Sequence, residues 1–487
     1  MITAIKKRIK RRTSEKRVPR RFSSVTGPVK KAFRKGSSMT VSMSVASAHA
    51  DRDDIDAIAA GAASDRQAIF HETILPLIQE SDKNKRKPVV PSFLLDEIEL
   101  GPKLGSGEFS NVFEVRSFRL DAEFNEGMLD ETSQSREMMK RCEIFHNTGR
   151  ARYALKHLKD EYFADHTQDE YIQAATDLSC EAELLSHLQH PHIIKLRGVA
   201  HNGAAAFADG PSGYFLVIDR LFETLDVRIK AWRDEADRKP RTGLIPHDDM
   251  DPMDTDEMDI ILDDRLFVGL QIAAALRYLH SHSIMFRDLK PCNIGFDGKN
   301  DTVYQCTNLP CHHFIFGTRF FRPTVRGDVK IFDFGLACVV PDDNPHDDLY
   351  VMSGAGSPRY MAPEVLMLQR YNLKADVYSF SILLWAMLAA ATPYSFVKGR
   401  AELERFVVNE KGRPPINISW PAVIRETIKD GFDAEIEKRP RIEDIYDKIH
   451  HQLEIIRGGM RFSLRDSNIN RRRSSASYKR LLQMFEE

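Results

Sequence analysis

Phe286-Arg287-Asp288-Leu289-Lys290-Pro291-Cys292-Asn293 sets three polar side chains, Asp288, Lys290 and Asn293, at offsets of 0, 2 and 5 in a largely apolar stretch. Downstream, Asp333-Phe334-Gly335 follows an apolar strand at 329–332, and Ala362-Pro363-Glu364 comes after it. Upstream, Gly105-Ser106-Gly107-Glu108-Phe109-Ser110-Asn111-Val112 lies between two strand-like segments. Glycines there let backbone N–H groups approach an anion closely. A dinucleotide fold would need a helix directly after them and an acid about 20 residues on. Residues 112–115 read as a strand instead, so that reading loses. Ala154-Leu155-Lys156 ends another apolar strand; in isolation its lysine reads as a snorkelling surface residue. Glu181 lies on helical spacing with Leu184 and Leu185, and could pair with Lys156 if that helix packs on the sheet.

In this order the motifs resemble the signature set of eukaryotic protein kinases, over residues 98–456. The resemblance implies an α+β, two-lobed fold, a small β-rich lobe with one key helix and a larger helical lobe. It implies ATP and Mg2+ as cofactors and protein hydroxyls as substrate. Leu104, Gly105, Ser106, Gly107, Ser110, Val112, Ala154, Asp219 and Leu221 would then surround the nucleotide. Lys156 would hold the α- and β-phosphates, locked by Glu181; Asp333 and Asn293 would hold the metal. Asp288 would take the hydroxyl proton, and Lys290 would neutralise charge on the γ-phosphoryl. Phosphoryl transfer rests on positioning and charge stabilisation, which is the work such groups do. Glu364 would pair with Arg439. Lys290, and Gly356-Ser357 ahead of Tyr360-Met361-Ala362, resemble Ser/Thr kinases. Tyr360-Met361-Ala362-Pro363-Glu364 with Asp376-Val377-Tyr378-Ser379-Phe380 points to the tyrosine-kinase-like branch.

Three positions depart from the pattern. Ser110 replaces a third glycine, and Phe286 stands where His is common, packing against Phe334 in a column with Leu185, Leu196 and the anchor Asp376. Gly295 replaces a Leu-like side chain beneath the adenine, removing area worth on the order of 1.5–3 kcal/mol. Weakened ATP binding is expected unless Ile294, Phe296 or Leu221 fills the gap. Arg287 signals control by activation-loop phosphorylation, with Ser353 and then Tyr350 as candidates and Ser357 as a contact for the substrate loop.

Organisation and charge frame this core. The 487 residues sum to −1, but residues 1–50 hold fourteen Lys/Arg against Glu15 alone, so a +13 arm faces a −14 remainder. Residues 1–64 read as a basic, Ser-rich disordered arm, 65–97 as a helix and linker, 98–456 as the kinase domain, and 457–487 as a basic tail. Insertions are expected near 116–150, 200–213, 234–264 and 298–326. Cys142, Cys180, Cys292, Cys306, Cys311 and Cys338 are too sparse for a disulfide scaffold. With no secretory leader and no apolar run of ~18–20 residues, an intracellular protein without an integral membrane segment is expected. The arm fits a nuclear-import cluster, an anionic-lipid contact or a mitochondrial presequence. A nucleic-acid function would account only for the first 35 residues.

The spacing of Cys306, Cys311, His312 and His313 is not that of a standard zinc finger. Residues 298–325 intervene where the family needs a short hairpin turn, and the sequence at their ends fits a retained intron. Nine acids at 248–264 form a solvated loop or a dock for the basic arm or a basic substrate. The competing function is a pseudokinase-like scaffold, favoured only by Gly295 and the insertion beside the site.

Overall fold

Aromatic and β-branched residues from Ile98 to Phe118 build a hairpin closed by the glycine turn, and the rest of the small lobe is laid beside it. The computed structural model describes residues 52–80, 89–145, 149–160, 167–238, 252–298, 327–340 and 345–469. The chain divides into two units, Met1–Met43 and Ser44–Glu487, and all described residues belong to the second.

The first element is helix α1 (Arg52–Ile69), followed by a π turn (Phe70–Ile74) and α2 (Leu75–Glu80). Then come β1 (Ser92–Phe93), β2 (Ile98–Ser106), β3 (Ser110–Phe118), α3 (Ala122–Glu126), α4 (Asp130–Arg141), β4 (Tyr153–Leu158), α5 (Gln168–His187), β5 (Leu196–Ala200) and β6 (Phe215–Asp219). The six strands form one sheet in the order β1-β5-β6-β4-β3-β2, antiparallel except for β1 with β5. All six residues of β4 are buried, as befits its inner position. Helix α5 starts on a capping box: Thr167 Oγ1 accepts from the Glu170 amide at 3.3 Å, and Glu170 Oε2 accepts from the Thr167 amide at 2.8 Å.

Arg220 alone separates β6 from β7 (Leu221–Thr224), which belongs to a second sheet of order β10-β9-β7. The larger lobe continues through α6 (Leu225–Arg238), α7 (Pro252–Ser281), β8 (Ile284–Met285), β9 (Ile294–Asp297), β10 (Val329–Ile331), β11 (Cys338–Val339), α8 (Pro363–Leu366), α9 (Lys374–Ala389), α10 (Arg400–Glu404), α11 (Ala422–Gly431) and α12 (Ile442–Ile469). Helix α9 is buried on every face from Lys374 to Leu388 and forms the lobe's centre. Arg439, fully buried, clasps Glu364 with two hydrogen bonds of 2.7 and 2.8 Å. The α+β, two-lobed architecture is therefore the one the motifs imply.

Four boundaries differ from expectation. A helix begins at Arg52, inside the stretch expected to be disordered, because Ile55, Ala59, Ala60 and Ala63 form a buried stripe. The charged insertion after β3 is not a loop but α3 and α4, tied down by the buried pair Arg136–Glu97. The acidic stretch is the start of α7 from Pro252 onward: acids suit the first turns of a helix, and Asp263 pairs with Arg457 at 2.6 Å. Helix α12 runs through Gly458 and Gly459 to Ile469 instead of stopping near Ile456. The basic arm, Cys306, Cys311, His312, His313, the insertion at 299–326 and the end of the C-terminal tail lie outside the described residues. Among the described residues no helix is long and apolar enough to cross a membrane.

Candidate active site

Lys156 on β4 and Glu181 on α5 reach one another from two elements of the small lobe, and their charges meet in the interior. Lys156 Nζ lies 2.7 Å from Glu181 Oε2 and 2.9 Å from Asp333 Oδ1. Burial works against the ammonium charge, but the carboxylates of Asp333 and Glu181 more than offset it, so the Lys156 pKa is raised. The charge of Lys156 in turn holds the Asp333 pKa below its ordinary value. The Asp333 side chain is still 45% exposed, against 11% for Lys156, so its carboxylate faces the open cleft.

Asp333 and Arg287 both adopt left-handed backbone conformations, with φ of 69° and 68°, a strain that surrounding contacts must hold. Asp376 at the start of α9 supplies part of that hold. Its carboxylate accepts from the Phe286 amide at 2.8 Å and the Arg287 amide at 2.9 Å, and lies 3.1 Å from His280 Nε2. Phe286 packs edge-on against Phe334 with ring centroids 5.1 Å apart. An aromatic at 286 therefore serves in the column with Leu185 and Leu196, all of them buried.

The Asp288 carboxylate gathers three neighbours. Ser357 Oγ donates to Oδ1 at 2.9 Å, Asn293 Nδ2 donates to Oδ2 at 3.0 Å, and Lys290 Nζ lies 2.7 Å from Oδ2. Asn293 Nδ2 also bonds the Asp288 carbonyl at 3.0 Å. Burial opposes the Lys290 charge, and the bond to Asp288 outweighs it, raising the pKa. Gly356 makes the Ser357 contact available: its φ is 113°, and a Cβ there would strike the Arg287 carbonyl.

Across the cleft, Gly105 pairs with Val112 and Ser106 with Asn111, and the Gly107 amide donates to the Ser110 carbonyl at 2.8 Å. Val112 and Ala154 lie on adjoining strands, Val112 opposite Lys156 and Ala154 opposite Glu114; Leu104 is exposed on the hairpin. Asp219 and Leu221 flank Arg220 at the join between the sheets. Asp219 turns its carboxylate to Arg197 at 2.7 and 3.1 Å, a partner that sequence reading did not supply. Leu221 occupies the space beside Gly295, where an added Cβ would sit 2.5 Å from Leu221 Cδ1. The gap expected at Gly295 is filled, which removes the stated reason for weak nucleotide binding.

Arg287 donates from Nε to the Leu336 carbonyl at 2.5 Å. Its charge acts on Tyr371, whose hydroxyl donates to the Ser353 carbonyl at 2.8 Å. Tyr371 carries no motif signal and was missed. Ser353 itself is exposed, and Tyr350 pairs through its backbone with Tyr371.

The model for the protein kinase domain matches residues 137–450. The chain belongs to the protein kinase family. The match begins within α4, after the glycine hairpin, which the structure nevertheless joins to the same sheet. A probable serine/threonine-protein kinase of Dictyostelium discoideum is 30% identical over 276 residues, 56% of this chain and 13% of that protein. The dual specificity protein kinase shkB of the same organism is 25% identical over 294 residues, 60% and 35% of the two chains. The serine/threonine-protein kinase VIK of Arabidopsis thaliana is 33% identical over 197 residues, 39% and 37%. This kinase chain thus spans little more than a third of such relatives at most.

Proposed function

We propose that this chain is a serine/threonine protein kinase of the tyrosine-kinase-like branch, transferring the γ-phosphate of Mg-ATP to hydroxyls of protein substrates. The observation that carries the reading is Lys156 held between Glu181 and Asp333 while Asp333 stays open to the cleft.

The donor chemistry fits a hard cation. Asp333 offers a carboxylate, and Asn293 keeps its amide oxygen, approached by the Cys292 thiol at 4.0 Å. Among the described residues no group of three or more His, Cys, Asp or Glu could hold a metal. Two oxygen donors suit Mg2+, which takes its other ligands from water and phosphates. When bound, the cation supplies charge neutralisation to the triphosphate.

The chain's own residues then divide the work. Backbone amides around Gly105, Ser106, Gly107 and Ser110 cover the phosphates, while Leu104, Val112, Ala154 and Leu221 enclose the base. Asp219 contributes backbone alone, its carboxylate being taken by Arg197. Lys156 binds phosphate oxygens, and Glu181 keeps it in place. Asp288, oriented by Asn293 and Ser357, aligns the substrate hydroxyl and accepts its proton. Lys290 neutralises charge developing on the transferred phosphoryl group.

The test is phosphate incorporation from labelled ATP into a peptide array carrying Ser, Thr and Tyr, for wild type and Asp333→Ala. Transfer to Ser and Thr that Asp333→Ala abolishes is expected. Equal signals would reject catalysis and leave the scaffold reading, and equal labelling of Tyr would make the enzyme dual-specific. Regulation is proposed at Arg287 and Ser353, and a fully active Ser353→Ala enzyme would remove Ser353 from the scheme. The acidic start of α7 is a candidate contact for the basic arm or a basic substrate; activity and salt dependence unchanged on deleting residues 1–50 would refute arm docking.

A further inference from the structure

Two segments that sequence reading leaves as an arm and a loop pack on one another, and the first of them also packs on α5, the helix carrying Glu181. Helix α1 lies against α5 with Ala59 and Ala63 fully buried between them. Alanines four apart stack on one face and let helix backbones approach closely. Ser179 on α5 accordingly donates to the Ala63 carbonyl at 3.3 Å. Toward one end the buried Tyr171 hydroxyl donates to Asp56 Oδ1 at 2.8 Å. Toward the other, His71 Nε2 lies 3.2 Å from Glu183 Oε2. The 3-10 turn Gly203–Asp209 packs on α1 in its turn, burying Ala204, Ala206 and Phe207. The charge of Arg66, in the last turn of α1, acts on Cys180 and Asp177 of α5, and Arg287 also acts on Asp177. One face of α5 thus aims Glu181 at Lys156, while other positions hold α1.

We propose that α1, backed by the 203–209 turn, is a built-in positioning element for α5, with Asp56, Ala59 and Ala63 as positioning residues that keep Glu181 on Lys156. The inference rests on the kinase reading of the Lys156–Glu181 pair. Releasing α1 frees α5 to rotate away from the sheet, and a pair held at 2.7 Å opens with a small rotation.

The test uses the full chain. Ala59→Glu forces a carboxylate into the α1–α5 seam, and Ala59→Ser is the conservative control. Hydrogen exchange is followed across residues 168–187 and across β4 and β6, alongside kcat and KM for ATP. Expected for Ala59→Glu are at least tenfold faster exchange in 168–187, unchanged exchange in β4 and β6, and at least a tenfold loss of kcat/KM for ATP. Ala59→Ser should stay within twofold of wild type. Should Ala59→Glu fail to fold, Tyr171→Phe, which deletes one hydroxyl, decides, with a two- to fivefold loss and faster α5 exchange expected. Unchanged activity in the folded variant, or lost activity with unchanged α5 exchange, overturns the proposal. A wild-type chain that transfers no phosphate sinks the kinase reading instead, and the exchange result still reports on the α1–α5 contact.

Discussion

Gly295 and Leu221 make a swap that a double-mutant cycle can measure. Gly295 lies on β9 and Leu221 on the paired strand β7, so neither backbone can retreat without breaking the sheet. A Cβ on Gly295 would meet Leu221 Cδ1 at 2.5 Å and Leu221 Cβ and Cγ at 3.2 Å. Gly295→Leu alone therefore overpacks the site, at a cost of about 1–3 kcal/mol. Leu221→Ala alone opens the gap. Leu221 is half-buried, so the loss is about half the ~1.5–3 kcal/mol of a fully buried leucine, or ~1 kcal/mol and roughly fivefold in nucleotide Kd. In the double variant the side chain introduced by Gly295→Leu grows into the space Leu221 leaves, and a coupling of about 1–2 kcal/mol is expected. The assay is calorimetric titration of a non-hydrolysable ATP analogue into the four proteins in one buffer. Each single variant should bind at least roughly fivefold more weakly, and the double within about threefold of wild type. Additive losses would refute the swap. Tighter binding by Gly295→Leu would refute it more directly, since Leu221 would then move aside freely and the gap would be real.

Three further outcomes follow from the same packing. Arg439→Ala strands the buried Glu364 carboxylate and should cost about 3–5 kcal/mol in urea unfolding; a loss below ~1 kcal/mol would show that water reaches the pair. Asp297 and Asp328 already close the β9–β10 hairpin, with the Asp297 amide donating to the Asp328 carbonyl and the Asp328 amide to Asp297 Oδ1, both at 3.0 Å. Deleting residues 299–326 joins them through Gly298-Gly327, a pair suited to a two-residue hairpin turn. Labelled-phosphate transfer should survive; its loss would assign the insertion a role, and a transcript reading through the segment would remove the intron explanation. Burial raises the Asp177 pKa to about 6, opposed by Gln173, Arg66 and Arg287. The folded chain then binds this proton more tightly than the unfolded one, so the stability it brings is complete below pH ~4 and lost as pH rises through about 6. Asp177→Asn should match wild type near pH 4 and exceed it at pH 7 by at most about 3 kcal/mol; equal thermal unfolding at both pH values would refute the shift.

Legibility in this chain follows from what constrains each residue. Asp288, Lys290, Asn293 and Asp333 could be proposed from sequence because they sit in short local motifs that resemble the kinase signature, whatever packs around them. Glu181 needed one spatial assumption, that its helix faces β4, and its 2.7 Å pair with Lys156 satisfies it. Asp219 could be placed but not oriented, since Arg197 becomes its neighbour only when β5 pairs with β6. The acidic stretch misled because charge count hides helical spacing, and Leu262 and Leu266 show their common face only when α7 is built.

Helix α1 is the deepest miss, and its cause is specific. Alanine adds little to an apolar pattern, so Ala59, Ala60 and Ala63 look neutral in the sequence. Their burial depends on α5 and on the 203–209 turn, whose own alanines look equally neutral. Each segment is the other's missing partner, and neither can be read as structured alone. The proposed catalytic groups are legible one at a time because their motifs are local. The element that holds one of them in place is legible only as a pair, and the Ala59→Glu experiment separates these two kinds of information.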